Sequence, residues 1–210
     1  MADDDGADRE TPRRQALATG IVHDFNNMLL ALTACMELVR TRSTETRIRD
    51  IAGRGLDSIE RCKDLVDRIL VLGGVEPPGK TGEAGGAPAA APEREPLILV
   101  VDDDNDVRLV LGELLHSLGY RLVEAADGAA ALAALDRQPD LAIVDCELRG
   151  QRGTELAGQL LDRRPGLPVV FATGYSEAAP ADPRLSAAPF LHKPFRISDL
   201  ANTVAAALRP

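Results

Sequence analysis

Two kinds of hydrophobic pattern divide the chain. In its first third, Ile21, Phe25, Met28, Leu32, Cys35 and Val39 recur at alternating intervals of four and three, and Ile48, Ala52, Gly55, Ile59, Cys62, Val66 and Ile69 form a second such run. This spacing draws one apolar seam along each of two α-helices. The polar stretch 41–46 between the runs is short, so residues 14–72 are predicted to form an antiparallel helical hairpin. Two helices enclose little interior, and pairing with a second copy into a four-helix bundle is the natural way to cover both seams. From residue 97 the pattern changes. Residues 97–101 (LILVV) and 141–144 (LAIV) are short, unbroken apolar runs of the kind found in strands buried on both faces. Residues 120–124, 168–172 and 189–191 supply three more strands, and helical runs lie between them, marked by Val107, Leu111, Leu114, Leu115 and Leu118, by residues 129–135, by Leu156, Leu160 and Leu161, and by residues 197–208. Five strands alternating with helices predict a doubly wound α/β domain with a parallel sheet over residues 97–210. The fold class is therefore α followed by α/β.

The segment joining the two patterns, 73–96, reads GGVEPPGKTGEAGGAPAAAPEREP, with Val75 as its only large apolar side chain. Such a composition predicts a flexible linker. Residues 1–13 are predicted to be disordered. Composition then narrows the function. The chain has 210 residues, 45% hydrophobic and 27% charged, as expected of a soluble protein with two modest cores. Its net charge of -9, its 3% aromatic content and its lack of Trp argue against nucleic acid as a partner, because neither phosphate attraction nor base stacking is provided for. No signal peptide and no apolar stretch near the ~20 residues of a membrane span are found, which predicts no membrane partner and a cytoplasmic location. Cys35, Cys62 and Cys146 are odd in number and lack CxxC spacing, which argues against a disulfide framework or a zinc site.

The polar residues at the strand ends carry the chemistry. The first strand runs into Asp102, Asp103 and Asp104, the third into Asp145, the fourth into Thr173 and the fifth into Lys193. In doubly wound sheets a ligand binds outside the carboxyl ends of the strands. Three carboxylates there suit Mg²⁺, and a hydroxyl and an ammonium suit the oxygens of a phosphoryl group. Asp104 reads separately as a helix N-cap. With these positions in place, residues 97–210 resemble a response-regulator receiver domain from end to end. The resemblance implies that Asp145 becomes phosphorylated and that Asp103 and Asp145 bind Mg²⁺ directly while Asp102 helps through water. It implies further that the backbone carbonyl of Glu147 completes the metal shell and that Thr173 and Lys193 contact the phosphoryl oxygens. Phe190 takes the place of the family's switch aromatic, and Lys193-Pro194 that of its cis Lys-Pro step. Three departures accompany the match. Arg149 stands where a proline is usual. The string PVVFATGY (168–175) resembles a subgroup with a weak or missing fourth helix, and Pro180 and Pro183 forbid a regular helix over 176–188, which predicts a mobile surface there. The third departure is an expectation: no DNA-binding domain is expected after the last helix.

In the helical part, His23 lies two residues from both Ile21 and Phe25, and at about 100° per residue this places it opposite the seam and exposed. Asp24 is adjacent and Asn27 is one turn further on the same face. Spacing alone favours an ordinary solvated histidine on a polar helix face. The wider string LATGIVHDFNNMLLAL (17–32), however, resembles the H-box of sensor histidine kinases of the HDFNN subgroup, and the resemblance extends over most of residues 14–72. It implies that His23 accepts a phosphoryl group, that Asp24 orients the ring and acts as its base, and that Asn27 positions water for dephosphorylating a partner. Where such kinases carry an ATP-binding domain, only the linker intervenes here, and no P-loop or glycine-rich ATP lid is found. The expected function is that of a two-component phosphorelay protein without its own ATP-dependent kinase activity. It would pass phosphoryl groups between Asp145, His23 and partner histidine kinases or response regulators, as a homodimer held by residues 14–72. Transfer within one dimer is within reach, since a flexible linker of about 24 residues spans ~25–30 Å. One alternative is a non-catalytic kinase relic that sequesters partners or forms mixed dimers with a kinase. Another is a Mg²⁺-dependent hydrolase of small phosphoesters, although no strand is followed by an insertion long enough to enclose a leaving group.

Overall fold

The computed structural model describes residues 7–72, 95–174 and 180–209. Helices α1 (Ala7–Arg42) and α2 (Thr46–Leu72) fold back on one another across residues 43–45, where the Glu45 amide donates to Ser43 Oγ at 3.2 Å. Helix α1 begins seven residues before the position expected from the pattern. Nearly all of the stretch read as a linker, and residues 1–6, lie outside the described residues. Ala52, Leu56 and Val66 of α2 are buried, and Gly55 lets the Met36 side chain approach so closely that a Cβ would stand 2.9 Å from its sulfur.

The second part is built on a five-stranded parallel sheet in the order β2-β1-β3-β6-β7, formed by β1 (Leu97–Val101), β2 (Arg121–Ala125), β3 (Leu141–Asp145), β6 (Val169–Thr173) and β7 (Phe190–His192). Helices α3 (Asn105–Ser117), α4 (Gly128–Ala134), α5 (Gly153–Arg163) and α6 (Ile197–Ala207) cover it. Successive residues of a strand point to opposite faces. Leu97, Leu99, Val101, Ala142, Val144 and Phe171 therefore enter one core with α4 and α5, while Ile98, Val100, Ile143, Val170 and Ala172 enter the other with α3 and α6. As expected, Asp104 caps α3, accepting from the amides of Asp106 and Val107. A small antiparallel hairpin, β4 (Glu147–Leu148) and β5 (Gln151–Arg152), was not legible in the pattern.

Three expectations are corrected. First, of the surface expected to be mobile, residues 176–179 lie outside the described residues, and residues 180–188 lack an α-helix as expected but are not without regular structure. They form a 3-10 turn over Pro183–Leu185, with Leu185 in the core and Arg184 paired to Asp182 and Asp162. Second, the hairpin does not stand apart from the sheet domain. Leu30 and Ala34 of α1 are fully buried in the α3-side core beside Val107, Val110 and Leu111, and Arg42 pairs with Glu113 of α3. Helix α1 is thus buried on a face other than its seam, and the seam residues Ile21, Phe25, Met28 and Leu32 remain 68%, 38%, 62% and 49% exposed. Third, His23 is not exposed, because the sheet domain covers the face opposite the seam. No helix among the described residues is long and apolar enough to cross a membrane.

Candidate acceptor site at the strand ends

Adjacent strands bring the predicted residues together. Asp102 follows β1, Asp145 ends β3, Thr173 ends β6 and Lys193 follows β7, and each is only 1% exposed. Lys193 Nζ donates to Asp102 Oδ2 and Asp145 Oδ2 at 2.8 Å each, while its backbone amide donates to Thr173 O at 2.7 Å. The ammonium thus ties three strand ends into one cluster. The Lys193-Pro194 peptide is cis. Asp102 Oδ1 accepts from the Asp104 amide at 2.9 Å, and Asp145 Oδ1 from the Glu147 amide at 3.2 Å. Gly153 permits this packing: a Cβ there would collide with the backbone carbonyl of Asp145.

Carboxylate oxygens of Asp102, Asp103 and Asp145 lie within 4.8 Å of one another. That compact, all-oxygen donor set fits Mg²⁺, which takes oxygen ligands and keeps part of its water shell. Asp103 also pairs with Arg149, Nε to Oδ2 at 2.8 Å, from the turn between β4 and β5. The residue that departs from the family pattern therefore neutralises the outermost acid of the cluster. Phe190 stacks on Phe171, with centroids 5.2 Å apart, beside the cluster rather than in it.

Helix α1 closes the site. His23 Nε2 is 3.7 Å from Asp145 Oδ2 and 3.8 Å from Glu147 Oε2, and its side chain is 14% exposed. The distance to Asp145 is that of an ion pair, longer than a hydrogen bond. Asp24 stands at the other ring nitrogen, 3.6 Å from Nδ1, and is itself 77% exposed. Asn27 receives a hydrogen bond from Lys193 Nζ at 3.2 Å and donates to Asp104 Oδ2 at 3.4 Å. Asn26, which the sequence reading passed over, is buried and donates to Gly174 O at 2.8 Å. At the edges of this interface Lys63 Nζ donates to Pro194 O at 3.4 Å, and Arg196 pairs with Glu60.

The charges respond to one another. The Asp145 carboxylate raises the His23 imidazole to about 9, against the opposing effect of its burial. Burial pushes Asp145 up, yet Lys193 and His23 outweigh it and hold Asp145 down at about 2. Asp102 is raised to about 6 by burial, which Lys193 only partly offsets. Burial likewise raises Glu147. Burial works against the Lys193 ammonium too, but Asp145 and Asp102 prevail and keep it charged.

Residues 98–205 match the family described as the response regulator receiver domain. The Positive alginate biosynthesis regulatory protein of Pseudomonas aeruginosa is 36% identical over 117 residues, which cover 54% of this chain and 47% of that protein. The response regulator receiver protein CpdR of Brucella abortus is 34% identical over 110 residues, covering 51% of this chain and 92% of CpdR. Among solved structures, NtrX from Brucella abortus superposes with a TM-score of 0.51 at 35% identity, covering 54% of this chain and 27% of NtrX. The matched region thus spans about half of the alginate regulator and nearly all of CpdR.

Proposed function

The chain belongs to the response regulator receiver domain family, and from that premise we propose that it is a phosphorelay component in which Asp145 and His23 exchange a phosphoryl group. One observation carries this reading: in a single chain the imidazole Nε2 stands 3.7 Å from the Asp145 carboxylate. Transfer from phosphohistidine breaks the P–Nε2 bond and forms a P–O bond to Asp145. The departing imidazole leaves neutral, keeping its Nδ1 proton beside Asp24. In the reverse direction the neutral ring attacks phosphorus. The transferring group carries its charge on the equatorial oxygens, where Lys193 and the Thr173 hydroxyl would receive them. Asp103 and Asp145, helped by Asp102 and the Glu147 carbonyl, would hold Mg²⁺, which when bound would further neutralise those oxygens. His23 Nε2 stands 3.7 Å from Asp145 Oδ2, and a phosphoryl group between them needs more room than that, so α1 would have to shift outward to admit it.

Phosphoryl groups would enter and leave through partner histidine kinases or response regulators, since no ATP-binding domain lies between α2 and β1. The exposed row Ile21, Phe25, Met28, Leu32 and Val39, continued on α2 by Ile48, Ile51 and Leu65, suits a second copy of the hairpin and supports a homodimer. The non-catalytic alternative draws on Asn27, which in this closed form occupies Lys193 and Asp104 rather than facing open solvent. The two are separated by loading Asp145 from acetyl phosphate in Mg²⁺ and assaying phosphohistidine in wild type, His23→Ala and Asp145→Ala. Phosphohistidine that requires both residues is expected. Decay of the loaded protein at the same rate with and without His23, and no phosphohistidine, would overturn the proposal.

A further inference from the structure

We propose that Asn26 and Gly174 form a selectivity contact through which the hairpin accepts receivers carrying glycine directly after the strand-end threonine, its own among them. The inference rests on the phosphotransfer reading for its purpose and on geometry for its content. Asn26 is a polar residue only 5% exposed, and its amide finds a partner in the backbone carbonyl of Gly174 at 2.8 Å, across the interface between α1 and the sheet domain. A buried amide is costly unless it is hydrogen-bonded, so this partner matters to docking. A Cβ built on Gly174 would stand 3.2 Å from Asn26 Nδ2, 3.6 Å from Asn26 Cβ and 3.9 Å from Asn26 Cγ, its three nearest neighbours. Any side chain at 174 therefore grows straight at α1. Gly174 is not among the glycines with positive φ, which are Gly119, Gly150 and Gly166, so its backbone conformation does not call for glycine. The approach of Asn26 does.

The division of labour between the two asparagines sharpens the point. Asn27 touches Lys193 and Asp104, groups that belong to the acceptor cluster or cap the helix beside it. Asn26 touches the residue after Thr173, which lends no side chain to the acceptor cluster. A contact to the reactive groups cannot tell one receiver from another, whereas a contact to residue 174 distinguishes them by a single Cβ. Receivers with glycine there would fit without rearrangement, those with alanine only after Asn26 yields a few tenths of an ångström, and those with a branched residue only by leaving the Asn26 amide buried and unpaired.

The test uses the full chain with Gly174→Ala, Gly174→Val, Asn26→Ala and the double variants Gly174→Val/Asn26→Ala and Gly174→Ala/Asn26→Ala. Two readouts are taken. Amide hydrogen exchange of residues 20–34 reports docking, and the rate of phosphoryl loss from Asp145 to His23, normalised to phosphorylated Asp145, reports transfer. Gly174→Val is expected to lose the docking protection and to slow transfer ~10-fold or more, as for a buried hydrogen bond left unmade. Gly174→Ala should lose a few-fold, and Asn26→Ala should restore docking to the valine variant because the obstructed amide is gone. Protection of β1 and β3 amides reports folding, and should the valine variant fail to fold, the alanine pair decides. Docking unchanged in both glycine variants, or an Asn26→Ala change that rescues neither, would overturn the inference. If docking follows the expected pattern in a protein that never forms phosphohistidine, the recognition contact stands and the phosphotransfer reading falls.

Discussion

In the protein stripped of divalent metal, His23 should titrate at about 9, far above the ordinary imidazole value of 6.5, because the Asp145 carboxylate lies against its Nε2. Asp145→Asn keeps the shape of the acceptor and removes its charge. Burial and the Lys193 ammonium act to lower His23 while Glu147, 3.8 Å from Nε2, still raises it, so in this variant the ring should fall back toward 6.5. The consequence for docking has a definite sign. Protonated His23 gains its partner only in the docked form, whose pKa is the higher one. The added stability is therefore fully present below pH 6.5 and is lost as pH rises through about 9. The gap between 6.5 and about 9, at 1.36 kcal/mol per pH unit, sets a ceiling of about 3 kcal/mol. Solvent reaches one edge of the ring, and screening there lowers the figure to ~1–2 kcal/mol, or about 5- to 30-fold in the docking equilibrium. Imidazole NMR in chelator is the assay, with the His23 signal assigned by His23→Gln. Saturating Mg²⁺ should draw the value down, since the cation competes for the Asp145 charge. A wild-type His23 that titrates near 6.5 without metal, or one indifferent to Asp145→Asn, would refute the docked arrangement.

Arg149→Ala should tighten Mg²⁺ binding up to ~5-fold in calorimetry, because metal no longer displaces an exposed ion pair worth ~0.2–1 kcal/mol from Asp103. Arg152→Ala removes the same charge from the neighbouring strand β5, and equal tightening in both variants would show that the Asp103 contact is immaterial. Leu30→Ala, at a fully buried position against α3, should cost about 2–5 kcal/mol of docking or unfolding free energy in denaturant titrations followed by exchange of α1. A cost below ~0.5 kcal/mol would mean that α1 does not share the receiver core. Phe25→Glu combined with Met28→Glu should convert a dimer to a monomer in light scattering while helicity is retained, and a wild-type chain that is monomeric at the highest accessible concentration would count against the homodimer.

The acceptor cluster was legible because Asp102, Asp145 and Thr173 end runs that are apolar on both faces. An unbroken apolar run in an alternating α/β pattern fixes a central strand, and the next polar residue must then lie at its carboxyl end, as these three do. Lys193 lies one residue beyond His192 at the end of the short edge strand β7, and was legible from its place at the fifth strand end. The docking of α1 was not legible, for the opposite reason. Periodicity finds the longest regular seam, and that seam, Ile21 to Val39, is the face left uncovered. The residues that dock, Leu30 and Ala34 with Ala31 and Leu38 around them, lie off the seam, and the partner they meet begins some 75 residues later in the chain. Their signal was present as apolar residues on more than one side of α1, since a helix apolar all round has more than one neighbour to bury against. Gly153, whose missing side chain makes room for Asp145, carried no signal a pattern could weigh. The placement of His23 opposite the seam held, and its exposure did not, because the face that is free in an isolated hairpin is the one the receiver covers. The two outcomes share a cause with a functional bearing. The row Ile21, Phe25, Met28 and the His23 face point away from each other on one helix, so closing the receiver over His23 neither hides nor uncovers the surface offered to a second copy. Docking and dimerisation can therefore change independently, and pH or metal acting at Asp145 would open the phosphoryl site without dissolving the proposed dimer.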